Sequence, residues 1–446
     1  MSSCTLPHCS PARRSRYHKE VKSWIEISEP HLQQNFAAVQ SSAGPEITVL
    51  AVIKANAYGH SATLSAPILA RAGARWIGVS DQAEGLAVRS ALAAAGLDLQ
   101  HQPRILILCG TVMCGIPSDD TAAILHAHLT PVIWTTHQIH SLNQLAQASS
   151  SRHPLPIHLE IDTGMARQGV QPGPALDQVL TQLAQSPNLH LEGVLTHFAS
   201  AEVRGADQTT DQMRRFEIAL DTILAAGHQP TWIHAGSSST LNTPHLPADN
   251  PIPWLRNLAA RYGARAMIRS GLALYGYCLP VIEPSGQPTA TCPTLASQLH
   301  PALTWKTRIL TLHDIPAGAT VGYGATFLAP HPMRLALLPV GYADGLRREL
   351  SSTSTHPGGW VMIHGHPAPI VGRISMNLTV VDVTSIPSAA SGDEAVLLGP
   401  GITADVHARL ANTISYEILC GIRAETTTVS TGPQVTPSVA PAKASI

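Results

Sequence analysis

The sequence has little charge and almost no charge imbalance. Only 13% of its 446 residues are charged, and the formal net charge is −1. Such a balance gives no electrostatic footprint for nucleic acid or for an anionic membrane surface. Polarity comes instead from Ser, Thr, Gln and Asn and from 23 His. We therefore expect neither nucleic acid nor a membrane among the partners.

Long apolar runs and patterned cysteines are also missing. No run approaches the roughly 18 residues that a membrane-spanning helix needs. The arginines at 13, 14 and 16 are not followed by the apolar stretch of a signal peptide. The seven cysteines are odd in number and lack a zinc-ligand spacing, which favours free thiols in a reducing compartment. We expect a cytoplasmic protein without a metal site.

What the sequence does have is a regular alternation of short apolar runs with segments rich in Ala, Leu and Gln. Eight runs predict strands, at 47–53, 76–79, 104–108, 131–134, 156–161, 189–195, 231–233 and 266–268. Helices are predicted between most of them, for example at 62–72, 82–95, 139–148, 174–185 and 211–226. This order is typical of a (β/α)₈ barrel. A doubly wound open sheet is the alternative, but no glycine-rich phosphate turn follows the first strand.

Polar residues stand where these predicted strands end. In a (β/α)₈ barrel the chemistry lies at the carboxyl ends of the strands. Burial of a lysine at such an end lowers the pKa of an amine and makes it a nucleophile toward aldehydes. The residues at these positions are Lys54, Asp162, Arg167, His197, Ser237, Ser238 and Arg269.

The pattern changes after the barrel. Short strand-like runs separated by Gly and Pro predict a mostly β domain, with runs at 303–313, 333–340, 360–363, 369–374, 378–383 and 394–398 and a helix near 406–411. Residues 24–27 are strand-like and could pair with it, and 245–262 has the character of an insertion between the last two barrel strands. The predicted organisation is a disordered arm (1–22), the barrel (23–280), a linker (281–300), the β-rich domain (301–423) and a disordered tail (424–446).

The segment 51–60, Ala-Val-Ile-Lys-Ala-Asn-Ala-Tyr-Gly-His, resembles the lysine segment of alanine racemases. In that family the lysine holds pyridoxal 5′-phosphate as a Schiff base. The resemblance implies that Lys54 both binds this cofactor and acts in catalysis. It also implies the family's architecture, a barrel followed by a β domain.

Three further residues match phosphate-binding positions of the family. The segment 234–239, His-Ala-Gly-Ser-Ser-Ser, resembles the phosphate loop, in which Ser238 matches the binding serine. Tyr58 and Tyr416 match the two tyrosines that contact the phosphate. A dianion requires hydroxyl and backbone N–H donors of this kind.

The segment 268–276, Ile-Arg-Ser-Gly-Leu-Ala-Leu-Tyr-Gly, resembles the signature whose arginine faces the pyridine nitrogen. By resemblance Arg269 has this role, Gly271 and Leu272 bring the backbone close to the cofactor, and His197 packs against its ring. An arginine cannot accept a proton, so the pyridine nitrogen should stay unprotonated. The ring is then a weaker electron sink, which favours proton return over transamination or decarboxylation.

Racemisation needs a proton removed from one face of Cα and returned to the other. The segment 321–327, Val-Gly-Tyr-Gly-Ala-Thr-Phe, resembles the motif whose tyrosine is the second base, opposite Lys54. In the family this tyrosine reaches the active site of the partner subunit. The resemblance therefore implies a head-to-tail homodimer in which Tyr323 is contributed to the partner active site.

The remaining matches concern the substrate. Tyr342 and Arg373 match residues of the substrate entrance, and the backbone N–H of Met376 and the side chain of Arg167 match groups that hold the substrate carboxylate. Glu160 stands where many members have a carbamylated lysine. Because both carry one negative charge, we expect Glu160 to orient Arg167 directly.

The resemblance implies interconversion of L- and D-alanine and a supply of D-alanine for peptidoglycan. A racemase of broader scope, or one for serine, remains an alternative. Basic amino-acid decarboxylases have a similar layout but place an acidic residue where Arg269 stands. A non-catalytic barrel that only holds pyridoxal phosphate would need neither the second domain nor Tyr323.

Overall fold

The computed structural model describes residues 21–110, 118–149, 153–245, 250–288 and 295–432. Almost all of the expected N-terminal arm lies outside the described residues. So do parts of the expected insertion, linker and tail, at 246–249, 289–294 and 433–446.

Eight parallel strands close into a barrel. After strand β1 (Ser23–Ser28) and helix α1 (Glu29–Ala43), the barrel strands are β2 (Ile47–Val52), β3 (Trp76–Val79), β4 (Arg104–Ile107), β5 (Leu129–Ile133), β6 (Leu155–Glu160), β7 (Leu189–Leu195), β8 (Trp232–His234) and β9 (Arg265–Ser270). The barrel closes where β2 pairs with β9, with Ile47 opposite Ala266. The predicted barrel is confirmed.

Helices connect the barrel strands. They are α2 (Lys54–Tyr58), α3 (Ala62–Arg71), α4 (Gln82–Ala94), α5 (Ser118–His126), α6 (Thr136–Ala148), α7 (Pro174–Ala184), α8 (Asp207–Ala225), α9 (Ser238–Asn242) and α10 (Pro251–Arg261). Their starts carry the expected polar caps. The Asp81 side chain accepts a hydrogen bond from the backbone N–H of Glu84 at α4, and Thr135 and Gln138 form a reciprocal capping box at α6.

The expected insertion at 245–262 is wrong. This segment contains α10, the ordinary barrel helix between β8 and β9, and its residues Leu255, Leu258 and Ala259 are buried. Proline at the first helical position obscured the helical pattern, although proline is well tolerated there. The side chain of Asn250 caps the helix by accepting from the N–H of Ile252.

The C-terminal domain is mostly β, as predicted. Its elements are β10 (Leu303–Arg308), β11 (Thr311–Ile315), β12 (Thr320–Val321), β13 (Phe327–Leu328), β14 (Met333–Leu338), β15 (Trp360–Ile363), β16 (His366–Pro369), β17 (Thr379–Asp382), β18 (Glu394–Leu398), α11 (Ala404–Leu410), α12 (Ser415–Gly421) and β19 (Thr426–Ser430). A six-stranded sheet has the order β16-β15-β18-β10-β1-β19, and β11, β14 and β17 form a three-stranded sheet.

The two ends of the described chain meet in the larger sheet. β1 pairs antiparallel with β10 and parallel with β19. The prediction of a disordered tail from residue 424 is therefore wrong for 426–430. Its Thr-rich composition resembles that of a disordered segment, but β-branched residues also suit an edge strand. The pairing partner, β1, lies about 400 residues away in sequence, where no local pattern reveals it.

The barrel end that carries Lys54 faces α12 of the C-terminal domain. A β-carbon at Gly59, just after α2, would lie 2.3 Å from the carbonyl oxygen of Leu419 in α12. This close approach brings Tyr416 to the mouth of the barrel. In the part of the chain that the structure describes, no helix is long and apolar enough to cross a membrane.

Candidate active site

Lys54 stands two residues after the end of β2, separated from it by Ile53, and its side chain is half-buried. The next four residues have φ angles of 52°, 53°, 56° and 53°, in the left-handed region: Ala55, Asn56, Ala57 and Tyr58. Such a conformation costs roughly 1–2 kcal/mol per non-glycine residue. Strain of this kind persists where the surroundings over-determine the backbone, which occurs mainly at functional sites.

Glu84 anchors this left-handed turn. Its carboxylate accepts from the backbone N–H of Asn56 at 3.0 Å and from the N–H and hydroxyl of Ser80 at 2.9 and 2.7 Å. The Asn56 side chain in turn accepts from the N–H of Ala62 at 2.9 Å. These hydrogen bonds fix the backbone that follows Lys54 and therefore the orientation of its side chain at the barrel mouth. Nothing in the sequence motifs singles out Glu84.

A nest of hydroxyl and amide groups lies beside the turn. The hydroxyl of Ser238, at the start of α9, accepts from the N–H groups of Gly271 and Ala273 at 3.1 and 3.2 Å. It also lies 3.0 Å from the hydroxyl of Ser270. All of these groups are buried. Their donor character suits an anion such as a phosphate ester.

Two tyrosines close the other side of this nest. The hydroxyl of Tyr58 approaches so near to Gly271 that a β-carbon there would lie 2.3 Å from it. The ring of Tyr58 packs against that of Tyr416, with centroids 5.6 Å apart. Burial raises the pKa of Tyr58 and raises that of Tyr416 to about 12. Both phenols therefore keep their protons at neutral pH and can donate hydrogen bonds.

Arg269, at the end of β9, lies inside the mouth of the barrel with only 6% of its surface exposed. Its guanidinium donates to the carbonyl of Thr196 at 2.6 Å, to Nδ1 of His197 at 3.1 Å and to Nδ1 of His234 at 3.4 Å. Burial lowers the pKa of Arg269 to about 10, so the side chain stays charged at neutral pH.

His197 contacts Arg269 and is influenced by the charges of two other predicted residues. Its pKa is lowered to about 3, first by burial and then by the positive charges of Arg269, Arg167 and Lys54. Its Nδ1 accepts from Arg269, so the ring is neutral with its proton on Nε2. The backbone carbonyl of His197 accepts a hydrogen bond from the side chain of Gln212 at 2.8 Å, which fixes the backbone that carries the imidazole.

The loop after β6 carries Arg167. The carboxylate of Asp162 accepts from the backbone N–H groups of Gly164, Met165 and Ala166 at 3.0, 3.0 and 3.1 Å, which folds the loop back on itself. Arg167 is exposed at the tip of this loop. The Asp162 turn therefore presents the guanidinium to the mouth of the barrel.

The expectation that Glu160 orients Arg167 directly is wrong, because the Glu160 carboxylate pairs with another side chain. The buried Glu160 side chain accepts a hydrogen bond from Gln168 instead, and Gln168 also donates to the carbonyl of Leu108 at 2.9 Å. Burial raises the pKa of Glu160, while Gln168, Arg269 and Arg167 oppose that rise. Among the described residues no ion pair joins Glu160 to Arg167 or Arg269, so its charge acts on both arginines without a bond to either.

The four other predicted residues lie in the C-terminal domain and are exposed. A β-carbon at Gly324, next to Tyr323, would lie 3.1 Å from Nη1 of Arg373. The backbone N–H of Tyr342 donates to the carbonyl of Ser375, one residue before Met376. The exposed fractions are 69% for Tyr323, 43% for Tyr342 and 56% for Met376.

The predicted residues thus form two groups. The first group surrounds the barrel mouth and consists of Lys54, Tyr58, Arg167, His197, Ser238, Arg269, Gly271, Leu272 and Tyr416. The second cluster lies in the C-terminal domain and consists of Tyr323, Tyr342, Arg373 and Met376. Within the described residues, no hydrogen bond or ring contact joins the second cluster to Lys54, His197 or Arg269. His234 contacts Arg269 but is not predicted, although it opens the segment that resembles the phosphate loop.

Family models match both parts of the chain. The alanine racemase N-terminal domain matches residues 27–278, and the alanine racemase C-terminal domain matches residues 302–430. The chain belongs to the alanine racemase family. It is an isomerase that interconverts L- and D-alanine.

Known relatives agree over nearly the whole length. The alanine racemase of Syntrophobacter fumaroxidans is 34% identical over 404 residues, covering 90% of this chain and 95% of the relative. That of Halothermothrix orenii is 35% identical over 409 residues, covering 90% and 94%. The solved alanine racemase from Streptomyces coelicolor A3(2) is 29% identical, with a TM-score of 0.76, covering 92% of this chain and 97% of that one.

Proposed function

We propose that this enzyme racemises alanine with pyridoxal 5′-phosphate, using Lys54 and Tyr323 on opposite faces of the substrate. The observation that carries this proposal is the hydrogen bond between Arg269 and the half-buried His197, whose pKa the charges of Arg167 and Lys54 also lower, beside a nest of anion-binding groups.

The residues at the barrel mouth fit this cofactor. When bound, pyridoxal phosphate supplies an aldehyde that takes up the amino acid and a ring that withdraws electrons from Cα. Ser238, the backbone at Gly271 and Leu272, Tyr58 and Tyr416 would hold the phosphate, because they offer hydroxyl and backbone N–H groups of the kind that bind an anion. The fit is tight, since no side chain at Gly271 could coexist with the Tyr58 hydroxyl.

Arg269 would face the pyridine nitrogen and His197 the ring. Because all guanidinium N–H groups are donors, Arg269 leaves that nitrogen unprotonated and limits electron withdrawal. The neutral His197 adds no positive charge beside the ring. Both features favour simple return of a proton to Cα. Arg167, with the backbone N–H of Met376, would hold the substrate carboxylate.

Two groups must exchange protons with Cα from opposite sides. Lys54 serves one face of the substrate from the barrel. Tyr323 serves the other, but it is exposed, and within the described part of the chain no hydrogen bond joins it to Lys54, His197 or Arg269. We therefore infer a head-to-tail homodimer in which Tyr323 completes the site of the partner subunit, together with the entrance residues Tyr342 and Arg373.

The surface around Tyr323 supports this arrangement. Tyr342, Met376 and Leu378 are large side chains that remain 43%, 56% and 40% exposed. Exposed aromatic and methionine side chains grouped with an arginine are typical of protein–protein interfaces. Burial against a second barrel mouth would cover them.

Mixed dimers test both the residues and the arrangement. Lys54→Ala and Tyr323→Phe chains, carrying different tags, would be co-expressed and the heterodimers purified. In a head-to-tail dimer one site receives both substitutions and the other receives neither, so the heterodimer should regain roughly half of the wild-type activity. If both groups acted within one chain, the heterodimer would be as inactive as either parent homodimer.

The alternatives predict different products. A broader racemase would turn over serine or other amino acids as fast as alanine, which a panel of enantiomerically pure substrates measures. A cofactor carrier would bind pyridoxal phosphate without exchanging the Cα proton. A decarboxylase would require a carboxylate near the pyridine nitrogen, where the buried Arg269 stands. We place the reaction in the cytoplasm, where Cys109, Cys278 and Cys420 would stay free thiols, and its product in peptidoglycan synthesis.

A further inference from the structure

A chain of buried polar side chains runs down the inside of the barrel from Arg269. Nη1 of Arg269 lies 3.4 Å from Nδ1 of His234, and Nε2 of His234 lies 2.9 Å from Nδ1 of His158. Nε2 of His158 lies 3.4 Å from Oε2 of Glu192. Glu192 pairs with both terminal nitrogens of Arg104, toward the opposite end of the barrel.

The two ends of this chain fix the direction of every hydrogen bond in it. Arg269 can only donate, so Nδ1 of His234 must accept and its proton must sit on Nε2. That proton is donated to Nδ1 of His158, which places the second proton on Nε2 of His158. This proton is donated to the carboxylate of Glu192, which can only accept while ionised.

The surroundings hold each group in that state. His158 and His234 are fully buried, and burial lowers the pKa of both, so both are neutral. Burial of Glu192 raises its pKa, but hydrogen bonds from His158 and Arg104 outweigh this and bring it to about 2. Arg104 itself stacks on Trp76, with its guanidinium carbon 4.2 Å from the ring centroid.

The ring of His158 packs directly on the backbone of the neighbouring strand β7. A β-carbon at Gly193, on the neighbouring strand β7, would lie 2.6 Å from both Nδ1 and Cε1 of His158. The imidazole therefore occupies the space that a side chain at Gly193 would need. The opposite tautomer of His234 would set its Nδ1–H against an N–H of Arg269, with two donors 3.4 Å apart.

We propose that Glu192, His158 and His234 are positioning residues that hold Arg269 in the orientation and donor state in which it meets the pyridine nitrogen. This inference deepens the proposed function and rests on pyridoxal phosphate occupying the barrel mouth. Glu192 sets the polarity of the chain, and the two histidines carry that polarity to Arg269. None of the three is expected to touch the substrate.

The first test reads the tautomers without using activity. The full-length protein, with histidines labelled by ¹⁵N, is examined by long-range ¹H–¹⁵N NMR, and His158 and His234 are assigned by substitution. Both rings should be neutral with the proton on Nε2, in the presence and absence of pyridoxal phosphate. A proton on Nδ1 of either ring, or a doubly protonated ring at neutral pH, would overturn the proposal.

The second test breaks the chain at its middle. His158→Leu removes both hydrogen bonds, whereas His158→Gln can still accept from His234 and donate to Glu192. We expect His158→Leu to raise the dissociation constant of pyridoxal phosphate roughly tenfold and to shift the absorption band of the bound cofactor, because a buried donor loses its partner. His158→Gln should restore most of both properties.

His407→Leu is the matched control, since His407 is a buried histidine of the C-terminal domain whose Nε2 has no hydrogen-bond partner among the described residues. It should leave cofactor affinity and absorption unchanged. Wild-type affinity and absorption in His158→Leu, or equal losses in the leucine and glutamine variants, would refute a positioning role. Failure of the wild-type protein to bind the cofactor would instead refute the proposed function, and the NMR result would still decide whether the chain has the inferred polarity.

Discussion

Gly271→Ala should test the cofactor cradle most sharply. The added β-carbon would lie 2.3 Å from the Tyr58 hydroxyl and 2.8 Å from Cζ, whereas real β-carbon contacts are almost never below 3.0 Å. The hydroxyl must therefore move by about 0.7 Å, the difference between 3.0 and 2.3 Å. Tyr58 cannot easily yield, because its ring packs between those of Tyr275 and Tyr416, with centroids 5.1 and 5.6 Å away.

Overpacking of a filled interior typically costs about 1–3 kcal/mol. If this strain falls on the phosphate-binding groups, the dissociation constant of pyridoxal phosphate should rise about 5- to 150-fold. Titration of the apoenzyme, followed by cofactor absorbance, measures this change. The thermal midpoint should fall as well, since the clash exists without the cofactor.

Gly421→Ala provides the control. A β-carbon at Gly421, on the helix that carries Tyr416, would meet nothing within 4 Å. It should leave cofactor affinity unchanged. Combining Gly271→Ala with Tyr58→Phe removes the closest atom, the Tyr58 hydroxyl oxygen. The loss of cofactor affinity in the double variant should therefore be smaller than the sum of the losses in the two single variants. Wild-type affinity in Gly271→Ala, or strict additivity in the double variant, would refute the cradle.

Three further predictions follow from charge and proton positions. Burial raises the pKa of the Glu160 carboxyl above its ordinary value of 4.5, so the free energy of unfolding falls as pH rises from about 4.5 towards the raised pKa. Glu160→Gln should therefore raise the thermal midpoint more at neutral pH than near pH 4.5, while turnover falls. Unchanged turnover and cofactor affinity would contradict an effect of the Glu160 charge on Arg167 and Arg269. Burial lowers the pKa of His407 from 6.5 to about 4, so the unfolded chain takes up a proton first and the free energy of unfolding falls as pH drops from 6.5 to about 4. His407→Leu should reduce the slope of this free energy against pH by up to about 1.4 kcal/mol per pH unit, measured by denaturant titration. An unchanged slope would count against a neutral His407. Tyr323→Phe should slow Cα proton exchange about 10²–10⁴-fold for one alanine enantiomer only, and equal slowing of both would argue against opposite faces.

Most of the fold follows from local patterns. The barrel strands are short runs of branched apolar residues, and strands such as Trp76–Val79 and Leu189–Leu195 begin and end where the sequence predicts. The failures have physical causes. Proline at the start of Pro251–Arg261 obscured a barrel helix, and Thr426–Ser430 pairs with β1, which lies at the other end of the described chain.

The site shows the same division. Motifs locate Lys54 and Arg269 because strand ends and short segments carry them. Motifs do not predict which side chains pair with each other, because pairing depends on side-chain length and on packing in the folded chain. Glu160 pairs with Gln168, eight residues further along a loop, and His158 and His234 differ from the many other histidines only in where the barrel places them. Their burial and their contact with each other distinguish these two histidines, and both properties arise only when the barrel closes.

Racemisation by this enzyme requires proton exchange at Cα within a site that holds pyridoxal phosphate. The most direct measurement incubates the purified protein with pyridoxal phosphate and L-alanine in deuterated water and follows D-alanine and Cα deuteration together. We expect both signals, with deuterium at Cα of the D-alanine formed. Deuteration without D-alanine would contradict the role of Tyr323, and the absence of both signals in the cofactor-loaded protein would show that this site does not exchange the Cα proton of alanine.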